Sequence, residues 1–210
     1  MPFPNARSLL HRYLLGESAD EEKRVVEQRS LVDEDYGGRL WEAEPELMAE
    51  YVSGHLTLDK RERFESHFLD SEERIKKLAF ATSLYEGAKN GAARLRNPDD
   101  HLRRYLLGKL SPAEELKVEQ IMITDDYKKR METAEHRLIT DYVCENLTEA
   151  EREMFRSHFL RFDGMEEKLR FAEIVYGYYE CVQWLEAHGD SSAKRFDRLW
   201  RWLAGRWAWI

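Results

Sequence analysis

Cysteine is scarce: Cys144 and Cys181 are the only two in 210 residues. They are too few and too far apart for a disulfide framework, and they fit a reducing compartment, so the expected location is cytoplasmic. Prolines number only five, which leaves long stretches free to be helical, and runs of β-branched residues are almost absent. The segment from Met1 to Leu15 lacks an apolar core long enough for a signal peptide. No apolar run reaches the roughly 18 residues that a membrane helix needs. Catalytic signatures are missing too. The seven histidines form no His-Glu-x-x-His pair, and neither a nucleophile elbow nor a P-loop occurs. The carboxylates sit among Lys and Arg at helical spacings, where surface ion pairing is the default. The expectation is a protein that is not an enzyme and needs no cofactor.

What is present is globular and amphipathic, with 42% hydrophobic residues and 35% charged ones of mixed sign. The formal charge of −8 is unevenly spread. Lys194 to Ile210 carries five cations against Asp197, a net of +4 that leaves −12 on the rest. An acidic body is a poor binder of nucleic acid, which needs Lys and Arg clustered on one face. It suits a basic protein partner, although acidity also serves plain solubility.

The main signal is an internal repeat. Arg12-Tyr-Leu-Leu-Gly16 recurs as Arg104-Tyr-Leu-Leu-Gly108, and Arg63-Phe-Glu-Ser-His-Phe-Leu69 recurs as Met154-Phe-Arg-Ser-His-Phe-Leu160. Lys77-Leu-Ala-Phe-Ala81 is answered by Lys168-Leu-Arg-Phe-Ala172. The expected organisation is an all-α chain of two tandem helical-bundle modules, 8–88 and 99–188, joined by a Gly/Asn/Pro-punctuated linker, 89–98, and followed by a basic Trp-rich tail, 189–210. Each module divides again, with Tyr13 aligned to Tyr51 and Tyr105 to Tyr142. Gly16, Gly54 and Gly108 are placed for left-handed helix caps. Glu145 takes that place in the fourth segment, where a different cap is expected. Ser111-Pro-Ala-Glu114 and Thr148-Glu-Ala-Glu151 read as capping boxes, Ser18-Ala-Asp-Glu21 as a third displaced by one residue, and Thr57 as a cap without its carboxylate. Phe64 and Phe68, with Phe155 and Phe159, mark the apolar face of the next helix. In the helix after that, Ile75, Leu78, Ala79 and Thr82 are spaced for one buried face. Its counterpart, about Met165 to Ala187, is crowded with aromatics, which in such a helix form a core more often than a cofactor pocket.

The segment Glu46-Leu-Met-Ala-Glu-Tyr-Val-Ser-Gly-His-Leu-Thr resembles the zinc-binding domain of anti-sigma factors. That family pairs a short helix and a Gly-x-Leu-Ser/Thr turn with a helix carrying His-x3-Cys-x2-Cys. His67 stands at the family's histidine, while Ser71 and Arg74 replace the cysteines. In the second module His158 is followed by Phe162 and Met165 at those places. The first and third segments hold Arg29 and Ile121 even at the histidine. One histidine per module cannot assemble the usual four-ligand zinc site, so the chain reads as a duplicated, zinc-less variant. His67 and His158 are then expected as core or cap-contacting residues.

The resemblance implies sequestration of a bacterial sigma factor by covering its RNA polymerase surface, with Tyr176, Tyr179 and Trp184 the favoured partner-binding residues. A competing expectation is a membrane-associated scaffold or adaptor for another signalling protein. Four of the six tryptophans lie at the end, as Trp200, Trp202, Trp207 and Trp209, interleaved with Arg198, Arg201 and Arg206. Trp with Arg suits the membrane–water interface, and in the resembling family a membrane helix often follows. The other reading of that tail is a terminal helix packed back on the modules.

Overall fold

A computed structural model describes residues 6–89, 100–121 and 124–187. The described residues form ten α-helices and no strand. They are α1 (Ala6–Leu14), α2 (Asp20–Val32), α3 (Glu34–Val52), α4 (Leu58–Arg63), α5 (Glu72–Lys89), α6 (Asp100–Leu106), α7 (Pro112–Ile121), α8 (Asp125–Val143), α9 (Glu149–Ser157) and α10 (Met165–Ala187). A π-helical turn, Phe64–Phe68, prolongs α4, and a 3-10 turn, Phe159–Arg161, follows α9. The order of α1 to α5 is therefore repeated by α6 to α10.

The tyrosine segments end alike. Gly16 N–H donates to the Tyr13 carbonyl and Glu17 N–H to that of Arg12, closing α1 with paired 5→2 and 6→1 bonds. The same pair of bonds ends α3 at Gly54 and His55, α6 at Gly108 and Lys109, and α8 at Glu145 and Asn146. The three glycines have φ of 69°, 78° and 64°, the left-handed region. Glu145 joins them at φ 59°. The expectation of a different fourth cap is thus corrected: the bonds closing the helix outweigh the steric cost of a side chain there.

Helix starts follow their polar residues, with one shift. Thr148 Oγ1 accepts from Glu151 N–H at 3.3 Å while the Thr148 N–H donates to Glu151 Oε2 at 3.1 Å. Glu114 Oε2 takes the Ser111 N–H at 2.9 Å, and Pro112 fills the first helical position, where its missing N–H costs nothing. At α2 the carboxylate contact runs from Ala19 N–H to Glu22, so Ala19 and not Ser18 is the cap. Thr57 precedes α4 without a side-chain bond. Asp33 caps α3, accepting from Tyr36 N–H at 3.1 Å. That helix runs through Pro45, which has no N–H for the carbonyl four residues back.

The chain divides into two compact units: the described parts of Met1–Tyr85 with Ile174–Ile210, and of Glu86–Glu173. In the first, Leu10, Leu15, Val26, Leu47, Met48, Phe64 and Phe68 are buried. In the second, Leu102, Leu107, Val118, Leu138, Ile139, Phe155 and Phe159 are buried at the matching places. Each fully buried Phe side chain contributes roughly 2–3 kcal/mol from apolar transfer. Tyr51 stacks on Phe64 at 4.3 Å and Phe64 on Phe68 at 4.8 Å. Tyr142, Phe155 and Phe159 make the same column at 4.1 and 4.7 Å. In α5 the buried residues are Phe80, Ala81 and Leu84, whereas Ile75 is 53% exposed and Ala79 is also exposed. The stripe expected from Ile75, Leu78, Ala79 and Thr82 is corrected by two positions along the helix. The second compact unit runs from Glu86 to Glu173 where the expected module runs from 99 to 188, and 174–187 of α10 groups with the first unit.

Candidate functional site

The two histidines at the resembling positions make one contact each that recurs. A Cβ placed on Gly16 would lie 2.7 Å from Cδ2 and Nε2 of His67, and one on Gly108 would lie 2.9 Å from Cγ and Nδ1 of His158. Each imidazole therefore closes over the left-handed cap that ends the first helix of its unit. These glycines are required twice, for their backbone angle and for the ring's space. His67 is solvent-exposed and His158 half-buried, so they are cap-contacting residues and not core ones.

The former cysteine positions do different things in the two units. Ser71 accepts the Arg74 N–H on its Oγ at 3.3 Å and so starts α5. The Arg74 guanidinium lies 4.5 Å over the Phe68 ring and donates to the Phe68 carbonyl at 3.1 Å. It also reaches Asp70 at 3.0 Å and, across to α3, Glu44 at 3.0 Å. One cation thus ties the end of the π-turn to both neighbouring helices. In the second unit Phe162 meets the edge of His158 at 5.5 Å and faces Tyr105 at 6.0 Å, while Met165 is buried. An ionic tie holds the hairpin in one unit and an apolar plug holds it in the other. Among the described residues no group of three or more His, Cys, Asp or Glu side chains is placed to share a metal ion.

The aromatic residues of α10 sort onto two faces. Val175, Tyr178, Cys181 and Val182 are buried in the first unit, at the spacing of one helical face. Tyr176 and Tyr179 are half-buried and Trp184 is 39% exposed, on the other side. The Tyr179 ring meets Tyr85 edge-on at 5.4 Å and lies 6.1 Å from Tyr176. These three residues, placed by sequence in the second module, therefore belong to the first unit.

Sequence reasoning missed the most polar interior of that unit. His11 and Glu46 are only 6% and 8% exposed. Arg7 Nε donates to Glu46 Oε2 at 2.7 Å and Arg7 Nη2 to Glu50 Oε1 at 3.3 Å. His11 Nε2 lies 3.5 Å from Glu46 Oε2 without a hydrogen bond. Beside them Tyr178 shares a hydrogen bond with Ser53, whose Oγ is 2.7 Å from His55 Nδ1. Burial, with Glu50 nearby, raises the Tyr178 hydroxyl above its ordinary range. Burial likewise pushes the Cys181 thiol up to about 11, with Arg7 opposing. A thiol so held is inert. The signal was the i,i+4 pairs Arg7/His11 and Glu46/Glu50, which read as ordinary surface charges until the two helices are packed together.

Arg198, Trp200, Arg201, Trp202, Arg206, Trp207 and Trp209 lie outside the described residues, as does most of the expected linker. No helix among the described residues is long and apolar enough to cross a membrane. Compared with family models, curated proteins and solved structures, the chain finds no match.

Proposed function

We propose that this chain is a non-enzymatic docking protein that sequesters a regulatory partner, a sigma factor in the reading taken from the anti-sigma resemblance. It would be built from a tandem duplication of one helical module. The observation that carries this reading is the histidine closed over the glycine cap in both units, at the position the resembling family gives to a zinc ligand. The cysteine places hold Ser71 and Arg74 in one unit and Phe162 and Met165 in the other, which supports modules that close without metal. Occlusion asks only for a rigid surface with a few large anchors. Leu31 and Val32, at 86% and 79% exposure, are such large apolar groups at the surface, and Trp184 on α10 is 39% exposed. The acidic body would steer a basic partner face, and the Trp/Arg tail would bring the chain to anionic membrane.

The test is capture of a sigma factor by the purified chain, followed by transcription with RNA polymerase core. Stoichiometric binding that blocks transcription supports the reading; no binding at micromolar concentrations sinks it. Two units with different surface chemistry favour a second reading, a scaffold with two docking faces. It predicts capture of a signalling protein with transcription unaffected. Elemental analysis checks the metal-free part: stoichiometric zinc, with helicity lost on chelation, would overturn it.

A further inference from the structure

Among the described aliphatic side chains of the first unit, Leu31 and Val32 are the most exposed, at 86% and 79%, side by side at the end of α2. The corner that carries them is fixed. A single extended residue, Asp33, joins α2 to α3; its N–H donates to the Arg29 carbonyl at 2.9 Å and its carboxylate accepts the Tyr36 N–H at 3.1 Å. Gly37 brings α3 so close that a Cβ there would lie 3.2 Å from the Ser30 carbonyl oxygen. Aliphatic groups on so rigid a corner lose little further freedom when covered, which suits them to a contact. The charge around them is one-sided. Residues 27–35 hold Glu27, Asp33, Glu34 and Asp35 against Arg29, a net of −3, and 33–35 are all exposed. Among the described residues no cation is paired with Glu34 or Asp35. The unit's other exposed aliphatics differ. Leu58 is followed by Lys60, Arg61 and Arg63, and the carboxylates before Ile75, Glu72 and Glu73, already pair with Lys76 and Lys77 at 2.9 and 2.8 Å.

The chemistry that fits such a corner is cationic and aromatic, and the sequence itself supplies it. Residues 194–210 have a net charge of +4, and each of Trp200, Trp202, Trp207 and Trp209 stands within three residues of an arginine. That segment continues from α10, whose residues 174–187 group with the same unit that carries the corner. Its length is sufficient. Tyr178 shares its hydrogen bond with Ser53 at the far end of α3, and α3 is roughly 28 Å long. Trp207 is 20 residues beyond Ala187, a reach of up to about 66 Å. We propose that the Trp/Arg tail docks in cis on the corner 31–35, its tryptophans covering Leu31 and Val32 and its arginines facing Glu34 and Asp35. This rests on the docking reading above and adds its control. A docked tail withholds Leu31 and Val32 from a partner, and a tail drawn to anionic membrane leaves them open.

The tail's own tryptophans report on this. In the full-length chain, Trp41→Phe with Trp184→Phe leaves the four tail tryptophans as the only ones. Expected are a blue-shifted emission and acrylamide quenching several-fold weaker than in the urea-unfolded chain, both unchanged by dilution of the protein. Leu31→Asp with Val32→Asp should abolish that protection; both side chains are exposed, so helical content by circular dichroism should be retained. Glu34→Lys with Asp35→Lys should weaken it. Adding Arg201→Glu with Arg206→Glu to that chain should restore it, which a loss of fold could not give. Tail tryptophans as open to acrylamide as in urea overturn the proposal, as does protection that survives Leu31→Asp with Val32→Asp. Protection that fades on dilution would place the tail on a second copy and also overturns it. Failure to capture a sigma factor would leave these measurements unchanged, so the two readings fail separately.

Discussion

The two units share a skeleton and differ in almost every polar contact. Between them the left-handed caps, the Tyr-Phe-Phe column and the histidine over glycine are repeated to within a few tenths of an ångström. The salt bridge from Arg12 to Glu22 returns as Arg104 to Glu114 at 4.0 Å. Elsewhere the chemistry is exchanged. Tyr51 Oη donates to Glu65 at 2.8 Å, but Tyr142 Oη accepts from Arg156 at 3.2 Å. The α1–α3 link of His11 to Glu50, at 3.8 Å, becomes Arg103 to Asp141 at 2.5 Å. Shape constrains the packed column because a buried Phe has no alternative site. A tyrosine hydroxyl can either donate or accept, so these positions are where two copies are free to acquire different partners.

The column should break first and equally. Phe64→Ala and Phe155→Ala each remove a fully buried ring from between two others, and each should cost about 3–5 kcal/mol in denaturant unfolding. Losses differing severalfold would show that the skeletons are not equivalent in energy. Next come the caps. Gly16→Ala and Gly108→Ala meet both a left-handed backbone and an imidazole, an expected loss of about 2 kcal/mol or more. His67→Ala or His158→Ala in the same chain should restore only the steric share. Full restoration would mean that the backbone angle carries no cost.

A third test separates the units by pH. Where the first has Thr82, bonded to its own helix through the Leu78 carbonyl, the second has Glu173, whose burial raises its carboxyl to about 7 against the attraction of Arg170. Where the first has Pro45, the second has His136, which burial and then Lys168 lower to about 4. The folded state thus prefers a protonated Glu173 and a neutral His136. As pH rises from 4.5 through 7, Glu173 costs stability; as pH falls from 6.5 through 4, His136 does. In the shared window the two slopes oppose, and the natural chain should have a flat profile. Glu173→Gln should leave His136 alone, so stability falls toward pH 4, and should gain about 1–2 kcal/mol at pH 8, discounted for partial solvent screening. A gain at pH 8 that persists undiminished at pH 4.5 would place its cause in packing and not in ionisation.

Much of this skeleton was legible. Glycines at 16, 54 and 108, the Ser111 and Thr148 boxes and the paired phenylalanines each carry a local physical cause, so spacing alone places them. The face of α5 was not legible, because Leu78, Ala79, Phe80 and Ala81 are adjacent small or apolar residues that fit two overlapping stripes. Tertiary packing chose Phe80 and Leu84. The assignment of 174–187 to the first unit has no local signature at all, since one continuous helix crosses the boundary. For the same reason Tyr176, Tyr179 and Trp184 could be found as an aromatic cluster but not given their unit. The Arg7–His11–Glu46–Glu50 interior was hidden because charged i,i+4 pairs look alike on a wet face and a buried one.

The smallest expected effect bears on the one place where the skeleton itself departs from its pattern. Gly54 and Glu145 hold the same left-handed cap, and a Cβ on Gly54 would meet nothing within 4 Å. Gly54→Ala therefore adds backbone strain with no clash, an expected loss of about 1 kcal/mol. Glu145→Gly removes the same strain and should stabilise by about as much, reduced by the greater freedom glycine has in the unfolded chain. Opposite changes of similar size in thermal unfolding would show that the cap geometry is imposed by the paired carbonyl bonds of α3 and α8. If Glu145→Gly instead destabilises, the glutamate side chain must hold an interaction that outweighs its backbone cost, and the fourth cap is then maintained by a different balance from the other three.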